Sequence, residues 1–406
     1  MKRPLSIMML MSLVACGSDS TSSTTSASTD LGAGADTAPV ADVAASQDAG
    51  AADAPTTDTA LDAAMPDTSP PVDTGPQIVA EPHNFQATQP WFSCTDAPLP
   101  PEVMVVDAFV GADQYFGAEN LRQIEVDADF PATGNWAQIG LEFKLECPKN
   151  GLCDHWDRTG SLELVVNPED SDGEPTVVEV ARHITPYRTG MCQYVDVTLL
   201  APVLKGKQTL RSWIDTWVGP GHAQGEGWRV SARFVFYPGE ADPPDQVLNV
   251  FARRGVTVGE IELDKNVDSQ VEPFTFVAPP TVRGVIAHLT TTGHSFGNSL
   301  NCAEFCEMRH DIIINSTTYS VNPWRPDCAE NPVSPQAGTW QYARNGWCPG
   351  AIAVGQQLDV TSAIVAGEEN TIDFDILLKS GIEYDNVTPV DLLPTTQMSL
   401  KLYIFE

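Results

Sequence analysis

Short runs of alternating apolar and polar residues restrict the fold of this chain more than any other feature. They include Ile139–Leu145, Ser161–Val166, Tyr194–Leu200, Trp228–Phe236, Thr371–Leu378 and Met398–Phe405. A period of two over five to nine residues places apolar side chains on one face of a half-buried strand. Clusters of Gly, Pro, Asn and Asp separate the runs, and no helical period is sustained. The chain is therefore predicted to be all-β, most simply a pair of antiparallel sandwiches. The segment Tyr237–Asp245 carries three prolines and a glycine, which break strands, so it is read as the boundary between them. No internal repeat is evident.

The N-terminal region follows different rules. Met1-Lys2-Arg3 precedes an apolar stretch that ends in Leu13-Val14-Ala15-Cys16-Gly17. A basic start, a short apolar core and small residues before a cut form a secretory signal, too short to span a membrane. Cysteine directly after Leu-Val-Ala reads as a bacterial lipoprotein signal, with cleavage before Cys16 and the lipid on that residue. Gly17 points to the outer membrane or cell surface. Between Gly17 and Ile78 there is no Phe, Trp, Tyr, Lys or Arg. Such a segment buries too little apolar surface to offset its ordering entropy, and it reads as a tether. The domain plan is thus a signal at 1–15, a lipid-anchored disordered tether at 16–78, and two β domains at 79–241 and 242–406, each of roughly ordinary domain length.

The net charge of −32 and the lack of a basic stripe exclude a nucleic-acid role. An acidic surface favours a neutral substrate over a polyanionic one. Apart from Cys16, eight cysteines remain: Cys94, Cys147, Cys153, Cys192, Cys302, Cys306, Cys328 and Cys348. An even set in an exported chain reads as four disulfides. Local spacing favours Cys147–Cys153 and Cys302–Cys306. Pairing within domains would then join Cys94 to Cys192 and Cys328 to Cys348, although sequence permits other pairings. A zinc site is disfavoured by export and by the lack of a Cys-x2-Cys pair.

Four segments concentrate acids, cations and aromatics. They are Cys147–Arg158 followed by Arg182–Tyr187, Trp213–Trp217, Gly293–Cys306, and Ala343–Gly350. An anchored carboxylate beside a tryptophan and an arginine can bind a sugar-bearing substrate and hydrolyse a bond in it. Taken alone, Asp157 reads equally as a loop cap, Glu304 as a solvated loop acid, His294 as a structural histidine, and the tryptophans as core or rim packing.

The strings Cys153-Asp-His-Trp-Asp-Arg158, Ile184-Thr-Pro-Tyr187, Cys302-Ala-Glu-Phe-Cys306 and Gly346-Trp-Cys-Pro-Gly350 occur in one order. Together they resemble the peptide-N-glycosidase F family across nearly all of residues 85–406. The resemblance implies two eight-stranded antiparallel jelly rolls, side by side, with the active site in the cleft between them. It implies hydrolysis of the GlcNAc–Asn amide of N-linked glycoproteins or glycopeptides, with no metal and no cofactor. The family's catalytic acids fall on Asp157, Glu304 and Asp215, and its glycan contacts on Trp156, Arg158, Tyr187, Trp217, His294, Arg344 and Trp347. On this reading Arg158 holds Asp157 ionised, and Asp215 orients the sugar or the asparagine. Three departures fall on substrate-holding positions: Asp215 where the family has Glu, Thr292 where it has Trp, and Thr159 where it has Tyr. The stretch from His294 to Cys302 is also shorter.

Two other functions compete. One is a non-catalytic glycan-binding lipoprotein on the same scaffold, against which the retention of Asp157 and Glu304 argues. The other is a copper monooxygenase, which needs histidine pairs and a methionine ligand; the seven histidines are scattered and no His-x-His occurs. The protein is expected to act as a monomer, meeting the membrane through its lipid alone.

Overall fold

The alternating runs become antiparallel strands in a computed structural model of the chain. It describes residues 93–94, 98–167, 176–259, 267, 270–295, 302–382, 384 and 392–406. The signal, Cys16 and the tether lie outside the described residues.

The upstream strands are β1 (Met104–Gln114), β2 (Gln123–Phe130), β3 (Trp136–Glu146), β4 (Thr159–Asn167), β5 (Thr176–Ile184), β6 (Met191–Asp196), β7 (Gly206–Ile214) and β8 (Trp228–Pro238). They form two sheets, one in the order β1-β8-β3-β6 and one in which β5-β4-β7-β2 are neighbours. Interleaved Greek keys generate this order, so the unit is an eight-stranded jelly roll. The downstream strands are β9 (Gln246–Thr257), β10 (Phe274–Val277), β11 (Gly284–Gly293), β12 (Met308–Ile314), β13 (Thr317–Val321), β14 (Trp324–Arg325), β15 (Arg344–Asn345), β16 (Ala351–Ala353), β17 (Gln356–Asp359), β18 (Glu369–Leu378) and β19 (Thr395–Phe405). Eight of them repeat the pattern as β9-β19-β11-β17 and β10-β18-β12-β13. Strands β14 and β15 form a separate pair, and β16 adds to the β5 edge of the first roll.

Each roll has its own core. In the first, Ile139, Leu141, Phe143 and Leu145 of β3 pack with Phe234 and Phe236 of β8. In the second, Ile312, Ile314, Phe374, Leu400 and Leu402 do the same. Burying one such side chain contributes about 1.5–3 kcal/mol.

Two runs depart from the simple alternating reading. Tyr194–Leu200 stops being a strand at Asp196, because Asp196 Oδ1 accepts from the backbone N–H of Thr198 at 2.8 Å and turns Thr198–Leu200 into a 3-10 helix. Strand β19 alternates in sequence yet is buried on both faces. Met398, Leu400, Leu402 and Ile404 enter the second core, while Tyr403 and Phe405 join the first. Between these, Ser399 and Lys401 meet Glu179 of β5: Ser399 Oγ donates to its carboxylate at 2.7 Å, and Lys401 Nζ to its carbonyl at 2.7 Å. The polar face of β19 is therefore the seam between the rolls.

Disulfides join Cys94 to Cys192, Cys147 to Cys153, Cys302 to Cys306, and Cys328 to Cys348.

Candidate active site

Asp157 sits at the end of the β3–β4 connection, which the Cys147–Cys153 disulfide narrows. The organiser of this loop is Asp154. Its fully buried carboxylate accepts from the Trp156 N–H at 3.0 Å, Arg158 Nε at 2.8 Å and Thr216 Oγ1 at 2.8 Å. Those bonds send Asp157 inward and leave Trp156 48% exposed. Gly225 closes the loop from outside at φ +107°, where a Cβ would lie 2.3 Å from the Cys153 carbonyl oxygen. The expectation that Arg158 holds Asp157 is corrected here, because Arg158 is committed to Asp154.

The cation beside Asp157 is Arg344. Its Nη2 lies 3.8 Å from Asp157 Oδ2, and its Nε lies 3.4 Å from Glu304 Oε2. One fully buried guanidinium thus stands between two acids contributed by different rolls. It is fixed by donation to the Thr339 carbonyl at 2.9 Å, the Tyr342 carbonyl at 2.8 Å and Thr339 Oγ1 at 2.8 Å. Its plane packs against Phe305 and Trp347, 5.1 and 4.8 Å from the ring centroids. Tyr187 adds a hydroxyl donor to Asp157 Oδ2 at 2.6 Å.

Glu304 projects from a one-turn helix, α1 (Cys302–Phe305), that its own disulfide pins. Its Oε1 accepts from the Ser295 N–H at 3.2 Å. Helix α1 lies directly on Gly293, where a Cβ would fall 1.9 Å from the Ala303 carbonyl oxygen. Gly293→Ala is accordingly expected to displace Glu304. Any activity that depends on the placement of Glu304 should fall on the order of 100-fold, the scale on which small misplacements of catalytic groups act, and assay of the purified variant measures it directly.

Burial governs the titration of both acids. It pushes Asp157 up, against the pull of His294, the Tyr187 hydrogen bond and Arg344. It pushes Glu304 up as well, with His294 and Arg344 pulling down and Asp157 adding to the rise. Burial and the neighbouring Asp157 raise the Tyr187 hydroxyl, which keeps it a donor. Two buried carboxylates with raised proton affinity, bridged by one guanidinium, form a pair able to act as general acid and general base.

The structure gathers Asp157, Tyr187, His294, Glu304 and Arg344, and it places Trp347 beneath them. Trp347 was expected to touch glycan, but it is fully buried, donates its indole N–H to the Gly293 carbonyl, and packs at a tilt against the His294 ring, centroids 4.9 Å apart. It supports the site instead of lining it. His294 Nδ1 is buried and has no hydrogen-bond partner among the described residues. Asp215 is not brought to the acid pair. It stands on the outer face of the strand that continues β7, 3.8 Å from Arg122 Nη1. Trp217, 52% exposed, shares that face and clasps Arg122 together with Phe116, with centroid distances of 4.4 and 4.6 Å. Thr159 and Thr292, expected where substrate is held, are both buried in the seam. Thr159 donates to Gln397 Oε1 at 2.6 Å, and Thr292 accepts from Arg182 Nη1 at 3.0 Å. The stretch 296–301 lies outside the described residues.

Sequence reasoning overlooked Asp154, Thr339, Tyr342, Ser295 and Arg122. For Asp154 the signal was present: an Asp directly after a disulfide cysteine and two residues before Trp156 is a turn-former. Ser295 and Tyr342 act through main-chain atoms, which no residue type advertises. Among the described residues one group of His, Cys, Asp and Glu has metal-ligand spacing, namely Cys94, Glu142 and Cys192. Its cysteines are bonded to each other, and it contains no histidine, which is a poor donor set for copper.

Known proteins share this fold and parts of this sequence. Residues 262–393 match the family described as peptide-N-glycosidase F, C terminal. The peptide-N(4)-(N-acetyl-beta-D-glucosaminyl)asparagine amidase F of Elizabethkingia miricola is 28% identical over 273 residues, 64% of this chain and 73% of that protein. The chain resembles peptide-N-glycosidase F. The solved structure of that glycosylasparaginase from Flavobacterium meningosepticum superposes with a TM-score of 0.60 at 20% identity, covering 75% of this chain and 96% of that one. PNGF-II superposes with a TM-score of 0.57 at 17% identity, over 75% of this chain and 66% of its own. At these identities the solved structures establish the fold.

Proposed function

We propose that this protein is an amidase that hydrolyses the bond between N-acetylglucosamine and asparagine in N-linked glycoproteins or glycopeptides. The observation that carries the reading is the placement of Asp157 and Glu304, two buried acids from different rolls, on one guanidinium. Water attacks the side-chain amide carbon of the glycosylated asparagine. A carboxylate of the pair takes the water proton, and Asp157 is assigned to this exchange at the scissile bond. The carbon–nitrogen bond breaks, the proton passes to the leaving nitrogen, and the products are an aspartate side chain and a glycosylamine. Glu304 positions the water, and Arg344 keeps both acids oriented while it offsets charge developing at the amide. Trp156 and Trp217 present exposed faces to sugar rings, and Asp215 orients the sugar side.

The test uses the full chain with its disulfides intact, a denatured N-glycoprotein and heavy-oxygen water. Glycosylated Asn should become Asp carrying one heavy oxygen, seen by mass spectrometry, and the conversion should vanish in Asp157→Asn. Intact glycopeptides with measurable glycan binding would instead identify a glycan-binding protein.

We also propose that Cys16 carries the lipid anchor. Cys16→Ser should move the protein from the membrane fraction to the soluble extract, and unchanged partition would refute the anchor.

A further inference from the structure

Beyond the acid pair, a groove of about 350 Å³ runs between the outer face of the β4–β7 ladder and strand β9. Four of the chain's 22 Lys and Arg residues line it, Arg182, Arg211, Arg253 and Arg254, against two acids, Glu163 and Glu179. On a chain of net charge −32 this local excess of positive charge is a departure that needs a reason.

The excess survives pairing. Glu179 is taken by Arg182. Glu163 is shared between Arg254 at 3.2 Å and Arg211 at 4.0 Å, and Arg211 also reaches Glu125 at 2.8 Å. Arg253 has no carboxylate partner among the described residues; its one bond is to the neighbouring Ala252 carbonyl at 3.4 Å. Arg211, Arg253 and Arg254 against Glu125 and Glu163 leave one positive charge uncompensated.

The groove is also in register with the proposed site. Asp215 N–H donates to the Thr159 carbonyl at 2.9 Å, Trp213 pairs with Ser161, and Arg211 pairs with Glu163. Walking back along β4 from Glu163 leads to Asp157, and because Ser161 and Thr159 are buried in the seam, the accessible side of this path runs along β7 past Trp213, Asp215 and Trp217. At about 3.3 Å per residue the arginine end lies roughly 20 Å from the catalytic end. Trp217 and Trp213 stand on the same outer face along the way, with Arg254 stacked on Trp213 at 4.4 Å.

We propose that this groove is a distal subsite for the acidic outer sugar of the glycan, a carboxylate-bearing residue of the sialic acid type, held by Arg253 and Arg254. The inference rests on the amidase reading. The sugar chain, not the peptide, is the occupant, because the route from Asp157 passes tryptophan faces suited to sugar rings. Guanidinium suits a carboxylate through paired N–H donors. A single acidic terminus needs one surplus charge, which is what the groove offers.

The test compares a sialylated glycopeptide of neutral peptide sequence with its desialylated form, using the full-length protein at low salt. Wild type should cleave the sialylated form with kcat/KM about three- to fivefold higher, through KM, the scale of an exposed ion pair. The ratio should fall to about one in Arg253→Gln and Arg254→Gln, and in wild type at high salt. Melting curves on both variants check that they fold. Equal rates on the two forms in wild type, or a preference that survives both substitutions, would overturn the subsite. So would a preference that follows acidic residues in the peptide instead of the sugar. Release from neither form would sink the amidase reading, and the subsite with it, which is distinct from equal release from both.

Discussion

Asp157→Asn is expected to lower kcat/KM for glycan release on the order of 10³-fold and at the same time to raise the melting temperature. The first half follows from role: general acid–base groups contribute about 10²–10⁴ in rate, and Asn cannot exchange the proton. The second half follows from burial, which raises Asp157 above the ordinary carboxylate range. A raised acid means that the folded state binds its proton more tightly than the unfolded chain does. The stabilising contribution of the protonated form is therefore fully present below the unfolded value, near pH 3.9, and is lost as pH rises through the folded value. At neutral pH the ionised, buried carboxylate costs stability, which neutral Asn does not. Asn also keeps an acceptor for Tyr187, and Glu304 remains to balance Arg344. A gain of about 1 kcal/mol is the expected scale. The advantage should shrink as pH falls toward 4, as the folded wild type takes up the Asp157 proton. In wild type the acid limb of kcat/KM should lie above the ordinary carboxylate range. Thermal scans from pH 4 to 8, with pH–rate profiles, check all of this. A variant less stable than wild type at pH 7 would show that Arg344 outweighs burial.

The two acids were legible in sequence because each belongs to a motif built on a short disulfide loop, Asp157 just after Cys147–Cys153 and Glu304 inside Cys302–Cys306, and those motifs carry the family resemblance. The cation that joins them was legible only as a sugar contact. Arg344 reaches Asp157 and Glu304 because β15, inside the Cys328–Cys348 loop, pairs back onto β14, a closure that no local spacing reveals. The strands tell the same story. Runs in β3, β4 and β8 could be read because one face meets a core and the other does not. Strands β14 to β17 are two to four residues long, too short for any period to register. In β19 the alternation was visible, but the destination of its polar face was not, because that depends on a second roll covering it. The same cover explains Thr159 and Thr292. Both read as positions around substrate, and both lie inside the seam.

That seam yields the second large effect. Arg182→Met should destabilise the protein by about 3–5 kcal/mol, the range for breaking a buried ion pair by removing one partner. Arg182 is buried between the rolls and spends its guanidinium on three strands. Nε donates to Glu179 Oε2 at 2.7 Å within β5, and Nη1 donates to Thr292 Oγ1 on β11 and to the Gln397 carbonyl on β19, each at 3.0 Å. Burial alone would push Glu179 up, but Arg182, Lys401 and the Ser399 hydroxyl together carry it below the ordinary range. A lowered acid contributes stability that is present above the unfolded value and lost as pH falls through the folded one. Removing Arg182 takes away the largest of those pulls, so Glu179 rises and that contribution shrinks at neutral pH. Lys401 moves the other way. Burial sets it at about 8, with Glu179 raising it and Arg182 lowering it, so loss of Arg182 should let it rise. The residual pair is then Glu179 with Lys401, and Arg182→Met/Glu179→Gln should cost clearly less than the two single changes summed, by 0.5–3 kcal/mol of coupling on the usual scale. Denaturant unfolding of the four proteins measures it. Thr292 stands two residues before His294, and Thr159 two after Asp157, so the same substitution loosens the register that brings the two acids onto Arg344. Activity should therefore fall in Arg182→Met even under conditions where the protein remains folded, and additive unfolding energies with full activity would show that the seam is merely packed.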